Sequence, residues 1–348
     1  MLAPAISVCV VGSRRAELAK CLDSLRAQEC PPSFELLVSL DDDPALVTTV
    51  RRSFPDARLC HASGLHPGAA RNDLVQRATG DLLLFIDDDV IAHPGLLARA
   101  ARLAQQHPEI SVFGGPNETP PDSTRFQFVQ GAVLGSLAGS GPVRRRYGAH
   151  RAGTADERWF ILCNLVVRRE AMRPFPEDII CAEENVLLAA LRHDGARMHY
   201  SPQLIVFHAR RATARSFATQ MFKYGRGRGE LIARSPRSTR AAYLAPSALL
   251  LYVLALPLLV SSGGPSWLFG AALYGGLVAA GAARVASTIA QARAWPLAAR
   301  LIVLLHLSYG AGVIRGTLAR RHIRVRSAVR WEEDHAPIPV PDLADEAP

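Results

Sequence analysis

Three consecutive carboxylates, Asp87-Asp88-Asp89, close the apolar run at residues 81–86, DLLLFI. Like charges crowded behind a buried segment repel one another unless a cation or solvent relieves them. Divalent cations take hard oxygen ligands and keep places for water and substrate phosphates. In an extended segment Asp87 and Asp89 project to one side together and Asp88 to the other. Two readings stand at this point, a clamp for a metal and a diphosphate or a solvated acidic turn. A second acidic group, Asp41-Asp42-Asp43, follows residues 35–40 and precedes Pro44. A third, Glu183-Glu184 ahead of Asn185, fits the start of a helix, where acids gain about 0.3–1 kcal/mol from the dipole.

The elements that must position these groups alternate. Residues 6–11 (ISVCVV) are a strand-length apolar run, and residues 16–28 carry Leu18, Cys21, Leu22 and Leu25 at helical spacing. A strand at 35–40, a helix at 44–53, a weaker strand at 57–60, a helix at 69–78 and the strand at 81–86 follow, with a later strand at 204–207. This order predicts an α/β fold with a largely parallel sheet, whose ligands lie beyond the carboxyl ends of the strands. Two of the acidic groups occupy such ends. The segment VVGSRRAEL after the first strand lacks G-x-G-x-x-G, so a dinucleotide-binding Rossmann domain is not expected.

A length of 348 residues suggests two domains, or one large domain with an appendage. With 49% hydrophobic and 20% charged residues the chain is neither disordered nor fibrous. Its six cysteines form no C-x-x-C pair, which fits small buried thiols in a reducing compartment better than zinc or a disulfide framework. The N-terminus lacks the basic region of a signal peptide.

The net charge of +9 is unevenly placed. Residues 1–230 carry 28 basic and 25 acidic side chains. Residues 231–331 hold twelve arginines and no acid, and residues 332–348 hold six acids and no base, an acidic tail expected to be disordered. The basic stretch is also the most apolar one, so membrane rather than nucleic acid is the partner it implies. Between Arg240 and Arg284 lie 43 uncharged residues, enough at ~1.5 Å per residue to cross a ~30 Å core about twice. Gly263-Gly264-Pro265 marks the turn of a hairpin at about 244–262 and 266–283. The next apolar segment, about 295–314, has only 14 residues, 301–314, between Arg300 and Arg315, a length typical of a re-entrant or interfacial segment. Arginines at both ends of the hairpin (Arg234, Arg237, Arg240, Arg284, Arg293) predict that both face the cytoplasm. If 295–314 also crossed, the cluster of six arginines from Arg315 to Arg330 would lie outside. An even number of crossings is therefore expected.

The order of these pieces resembles the family-2 glycosyltransferases of the GT-A fold across about residues 5–230. The resemblance is carried by ISVCVVGSRRAELAKCLDSL, ELLVSLDDD, HPGAARNDLVQRATGDLLLFIDDDV, CNLVVRREAM and CAEENVLLAALRHDGARMHYSPQLIVFH. GGPNETPP, QMFKYGRGRG and HLSYGAGVIRG are similar to segments of succinoglycan-type exopolysaccharide members. Such a resemblance implies a Rossmann-like mixed, mainly parallel sheet flanked by helices, followed by a C-terminal transmembrane helical region. Residues 1–230 are then the catalytic domain, 231–331 the membrane region and 332–348 the tail.

By the same resemblance, Asp87 and Asp89 form a D-x-D, with Asp87 near the donor's ribose or sugar and Asp89 on Mg²⁺ or Mn²⁺. His208 matches a histidine placed near metal or diphosphate. Asp41 and Asp42 fall where the nucleobase is held, and Asp88 and Arg71 join the donor-binding set. Val11-Gly12-Ser13-Arg14 stands where members often read P-T-Y-N. The family's catalytic base falls on Glu184, with Glu183 beside it. Lys223 and Arg226 either neutralise the leaving diphosphate or contact lipid headgroups.

The expected activity is inverting, metal-dependent transfer of a sugar from a nucleotide-diphosphate sugar to a hydroxyl. The expected acceptor is a polyprenyl-linked saccharide at the cytoplasmic membrane face, in cell-surface or exopolysaccharide synthesis, with membrane lipid and no nucleic acid as further partner. The alternatives are a non-catalytic membrane scaffold with a degenerate GT-A domain and a processive polysaccharide synthase.

Overall fold

A computed structural model describes residues 5–13, 15–61, 66–177, 179, 182–234, 241–319 and 330–331. Arg14, Cys181, Arg237, Arg240, Arg320, Arg321, Arg324, Arg326 and the acidic tail at 332–348 lie outside the described residues. Strands are β1 (Ile6–Gly12), β2 (Phe34–Leu40), β3 (Arg58–His61), β4 (Leu82–Asp87), β5 (Val90–Ala92), β6 (Val112–Gly114), β7 (Asn117–Glu118), β8 (Gly153–Thr154), β9 (Leu165–Arg168), β10 (Met198–Tyr200), β11 (Val206–His208) and β12 (Arg330–Trp331). Helices are α1 (Arg15–Arg26), α2 (Pro44–Ser53), α3 (Pro67–Arg77), α4 (Leu96–Gln106), α5 (Arg125–Leu134), α6 (Leu137–Ser140), α7 (Glu183–His193), α8 (Ala214–Arg234), α9 (Ala241–Gly263), α10 (Leu268–Thr288) and α11 (Trp295–Leu318).

The main sheet runs β12-β3-β2-β1-β4-β9-β6-β10-β8. β1 pairs in parallel with both β2 and β4, and β-branched residues suit this doubly covered position. Ile6, Val8 and Val10 enter the core under α1, α2 and α4, while Cys9 enters the core on the other face. Beyond β4 the sheet turns mixed, with β9 antiparallel to both β4 and β6. The five described cysteines are free thiols, and all but Cys30 are buried.

A small sheet, β5-β11-β7, stands beyond the end of β4. Its register sets His208 opposite Val90, next in the chain to Asp89. β4 ends with Asp87 beside Val11 of β1. The acids at residues 87–89 therefore lie at the junction of the two sheets.

A third core joins the two halves of the chain. Val129 and Val133 of α5, Phe217 and Met221 of α8, Val278 and Ala282 of α10, and Leu301 and Ile302 of α11 pack together. α11 lies lengthwise and in parallel along α8. A side chain at Gly225 or Gly229 would strike the α11 backbone, and one at Gly312 or Gly316 would strike that of α8. Small residues four apart on both helices allow this approach.

Three helices are long and apolar enough to cross a membrane, Ala241–Gly263, Pro265–Thr288 and Ala292–Leu318. The first two contain the residues expected to form the hairpin and are joined through Gly264 at φ +84°. The third differs from expectation. The 14 uncharged residues read from the sequence lie inside a 24-residue helix, because Arg300 and Arg315 continue its turns rather than end them. Length therefore does not exclude it as a span.

Candidate active site

Asp87, Asp88 and Asp89, at the end of β4, each meet a different partner. Asp88 is buried and accepts a hydrogen bond from the Ser13 backbone N–H at 2.8 Å, tying the acidic turn to the loop after β1. Asp87 remains a third exposed and meets Arg71 at 3.1 Å. Loss of hydration raises its carboxyl above the ordinary range, and the Arg71 charge opposes that rise. Asp89 is buried, with His208 Nε2 at 3.3 Å and Arg211 at 4.0 Å.

Arg71 connects this turn to the start of α7. Its other nitrogen donates to Glu183 at 2.8 Å, and the guanidinium is buried. The segment HPGAARN at residues 66–72 places it. Gly68 lets α3 approach the Pro176 carbonyl, where any side chain would collide. Asn72 donates to the Phe175 carbonyl at 3.0 Å and accepts from the Phe175 N–H at 2.7 Å. These bonds tie α3 to the backbone at Phe175.

Glu183 and Glu184 occupy the first turn of α7, both buried, after Ala182 in the left-handed region at φ +70°. That conformation costs an alanine about 1–2 kcal/mol. Burial pushes Glu183 up to about 7, Arg71 pulls it down, and the neighbouring Glu184 charge pushes it up again. Glu184 pairs with the buried Arg146 at 3.2 Å and accepts from Asn185 Nδ2 at 2.8 Å. Both contacts fall on Oε1. Arg146 also donates to Asn185 Oδ1 at 2.7 Å and to the backbone carbonyls of Glu157 and Arg158.

A cavity of about 940 Å³ opens between these groups and the C-terminal helices. Asp87, Glu183, Glu184 and His208 line one end, and residues of α8, α9, α10 and α11 line the other. Among the described residues no three His, Cys, Asp or Glu side chains converge as a ready metal cage. The chemistry of Asp89 and His208 nevertheless suits a divalent ion that takes its remaining ligands from phosphate and water. His208 Nδ1 is buried without a hydrogen-bond partner, which leaves its Nε2 contact with Asp89 as the side chain's one polar tie among the described residues.

The other residues named from sequence scatter more widely. Asp41 and Asp42 are exposed at the end of β2, Asp42 lying 3.5 Å from His61, while Asp43 caps α2 by accepting from the Ala45 N–H. Lys223 is exposed, and Arg226 pairs with Glu230 one turn along at 3.4 Å. Neither lines the cavity, whereas Met221, Tyr224 and Arg228 do. The packing of Gly225 and Gly229 on α11 sets the phase of α8 and turns this other face inward. Arg146 was missed altogether, since Arg144-Arg145-Arg146 reads as a solvated run and only the third is buried.

Comparison with known proteins agrees with this architecture. Residues 6–173 match the model of Glycosyl transferase family 2. The succinoglycan biosynthesis protein ExoM of Rhizobium meliloti (strain 1021) is 27% identical over 254 residues, 68% of this chain and 78% of that protein. The pre-mycofactocin glycosyltransferase of Mycobacterium tuberculosis (strain CDC 1551 / Oshkosh) is 25% identical over 210 residues, 56% of this chain and 41% of that one. Among solved structures, the mannosyltransferase PcManGT from Pyrobaculum calidifontis, in complex with GDP-Man and Mn²⁺, has a TM-score of 0.58 at 18% identity, covering 92% of this chain and 89% of that chain. That last likeness is one of fold. With its mixed sheet, the acidic turn after β4 and the carboxylates opening α7, the chain carries a GT-A fold whose residues 6–173 match the family-2 glycosyltransferases, and it resembles a succinoglycan biosynthesis protein.

Proposed function

We propose that the protein transfers a sugar, with inversion, from a nucleotide-diphosphate sugar to a hydroxyl of a lipid-linked saccharide at the cytoplasmic face of the inner membrane. The observation that carries this reading is the single cavity lined both by Asp87, Glu183 and Glu184 and by the apolar helices. A soluble acceptor would not need a site walled by candidate membrane spans.

Glu184 is the general base in this reading. Its Oε1 is held by Arg146 and Asn185, so the carboxylate keeps one orientation while it takes the proton of the attacking hydroxyl. The acceptor oxygen then bonds the anomeric carbon, and the nucleoside diphosphate departs with the electrons of the broken bond. Arg71 keeps Glu183 and Asp87 at fixed separation across the cleft. Asp89, His208 and Asp87 would hold Mg²⁺ or Mn²⁺, which when bound neutralises charge on the diphosphate. Asp41, Asp42 and Asp88 complete the donor side, Asp88 by fixing the loop after β1 rather than by direct contact. PcManGT was solved with GDP-Man and Mn²⁺, which supports a nucleotide sugar and a divalent metal here.

Two crossings fit the chain best. β12 pairs with β3 of the catalytic sheet, so the chain beyond α11 returns to the side from which α9 departs. α11 also lies along α8, which carries Lys223, Arg226, Arg228 and Glu230 and is too charged for a bilayer core. α9 and α10 then span, and α11 rests at the interface with α8. Nucleoside diphosphate release, measured over a panel of sugar nucleotides with Mg²⁺ or Mn²⁺ and membrane lipid extract, tests the activity. Release confined to one donor and dependent on the extract supports it. Absence of release across the panel supports the scaffold reading instead.

A further inference from the structure

Residues 126–143 are an uncharged stretch of 18 residues within the first 230, bounded by Arg125 and Arg144. They fold as α5 and α6. Neither helix contributes a buried residue to the two cores on the main sheet. Val129, Val133 and Leu134 are buried instead with Val278 and Ala282 of α10 and Ile302 and Leu305 of α11, and Ala138 packs against that cluster.

α6 is seated on the apolar helices at a defined level. A side chain at Gly281 of α10 would strike Ala138. The His306 ring of α11 is hydrogen-bonded to the backbone of Ala138 and Gly139 and lies 3.0 Å from the Tyr274 hydroxyl. Polar ties of this kind join apolar helices where little water competes. Gly281 stands one turn to the inner side of Arg284, the first charge after Arg240. An arginine near the end of a span extends its charge to the headgroups. With α9 and α10 crossing, α6 therefore lies just inside the headgroup level.

Leu137 escapes this packing and is 68% exposed at the rim of the cavity. A lone exposed leucine is ordinary, but the backbone around this one needs no water. Ser136 Oγ accepts from the Gly139 N–H at 2.9 Å, the Ser140 N–H donates to the Ser136 carbonyl at 3.0 Å, and the Gly141 N–H donates to that of Leu137. Hydrocarbon demands such internal pairing. Leu277 of α10, which lines the same cavity one turn inward of Gly281, is 62% exposed as well.

We propose that α6 is a re-entrant tip of the catalytic domain, with Leu137 among the acyl chains at the border of the cytoplasmic leaflet. The proposal rests on the two-crossing reading above and extends membrane contact into the catalytic half of the chain. Bilayer lipid is the occupant because the patch adjoins candidate spans that a bilayer must cover in any case. The segment continues through Gly141–Tyr147, whose Arg146 holds Glu184. Embedding α6 thus sets the height of Glu184 above the bilayer, and the acceptor hydroxyl is met at the membrane surface.

Collision accessibility of a nitroxide tests this in the full chain in phosphatidylcholine nanodiscs. The label is attached at L137C in a chain that also carries C30S and C181S. L254C, at an exposed position of α9, is the bilayer reference, and the exposed native Cys30 is the water reference. At residue 137 oxygen should relax the label more than a water-soluble nickel chelate does, as at residue 254 and opposite to residue 30. Nickel dominance at 137 with oxygen dominance at 254 would overturn the proposal and leave the crossings intact. Nickel dominance at both would remove the membrane reading as well. Shielding of 137 from both reagents would mean that protein covers Leu137, which also overturns the proposal. In the unsubstituted protein, an aryl carbene generated within the bilayer should modify Leu137 in the tryptic peptide 126–144. Modification of α9 without that of this peptide would overturn the proposal independently of any cysteine variant.

Discussion

Arg146 reaches Glu184 across 3.2 Å, and both side chains are buried beneath the first turn of α7. Burying two charges is tolerated only when each satisfies the other, and Arg146 adds bonds to Asn185 and to two backbone carbonyls. Removing the arginine leaves a carboxylate without its counter-charge. R146A should lose about 3–5 kcal/mol of stability, read as a lowered unfolding midpoint of the purified chain. R146K keeps the charge but not the planar fork, and should fall between the two.

Glu184 and Asp89 test the chemistry. E184Q preserves an oxygen for Arg146 and Asn185, so the fold should hold while transfer falls about 10²–10⁴-fold. D89A should lower both transfer and donor affinity, and chelation of divalent ions should mimic it in the parent protein, with recovery on adding Mn²⁺. Donor binding by calorimetry and nucleoside diphosphate release separate the two variants. Parent-like release by E184Q would remove Glu184 as the base and point to Glu183.

Glu183 makes stability depend on pH. Burial holds its folded-state value near 7 against an ordinary 4.5, so the folded chain keeps a proton that the unfolded chain has already lost. Stability from this group is therefore full below about pH 4.5, falls as pH rises toward 7, and is flat above. Unfolding midpoints measured from pH 4.5 to 8 should decline across that window. E183Q should flatten the decline while leaving Arg71 its contact with Asp87.

The crossing of α8 and α11 predicts a defect remote from the acids. A side chain at Gly312 would strike the Phe222 carbonyl and the Gly225 backbone. G312V should cost about 1–3 kcal/mol, seen in the unfolding midpoint. Nucleotide-sugar binding, which depends on the acids beyond β4, should be retained.

Several elements were legible because their signals are local. Strand-length apolar runs at β1, β2 and β4 and the helical spacing of α1 follow from periods of two and 3.6 residues. Two apolar helices, α9 and α10, were equally plain, since a long uncharged stretch broken by glycine has few other solutions. α11 runs past the charges that bound its apolar stretch, because charge, unlike proline, does not stop a helix.

The sequence by itself determined the α/β order, the acids at the strand ends, the paired glutamates and the basic apolar third of the chain. Tertiary structure alone decided their partners. Arg71 and Glu183 stand 112 positions apart, and the choice of Arg146 rather than Arg145 for Glu184 depends on how one loop seats against α7. Likewise the face of α8 that turns inward, with Arg228 in the cavity and Lys223 outside it, was set by glycine contacts with a helix some 80 residues away. Local periodicity specifies which side of an element is apolar. It carries no information about which distant element will cover that side, and the reacting groups meet only where those choices coincide.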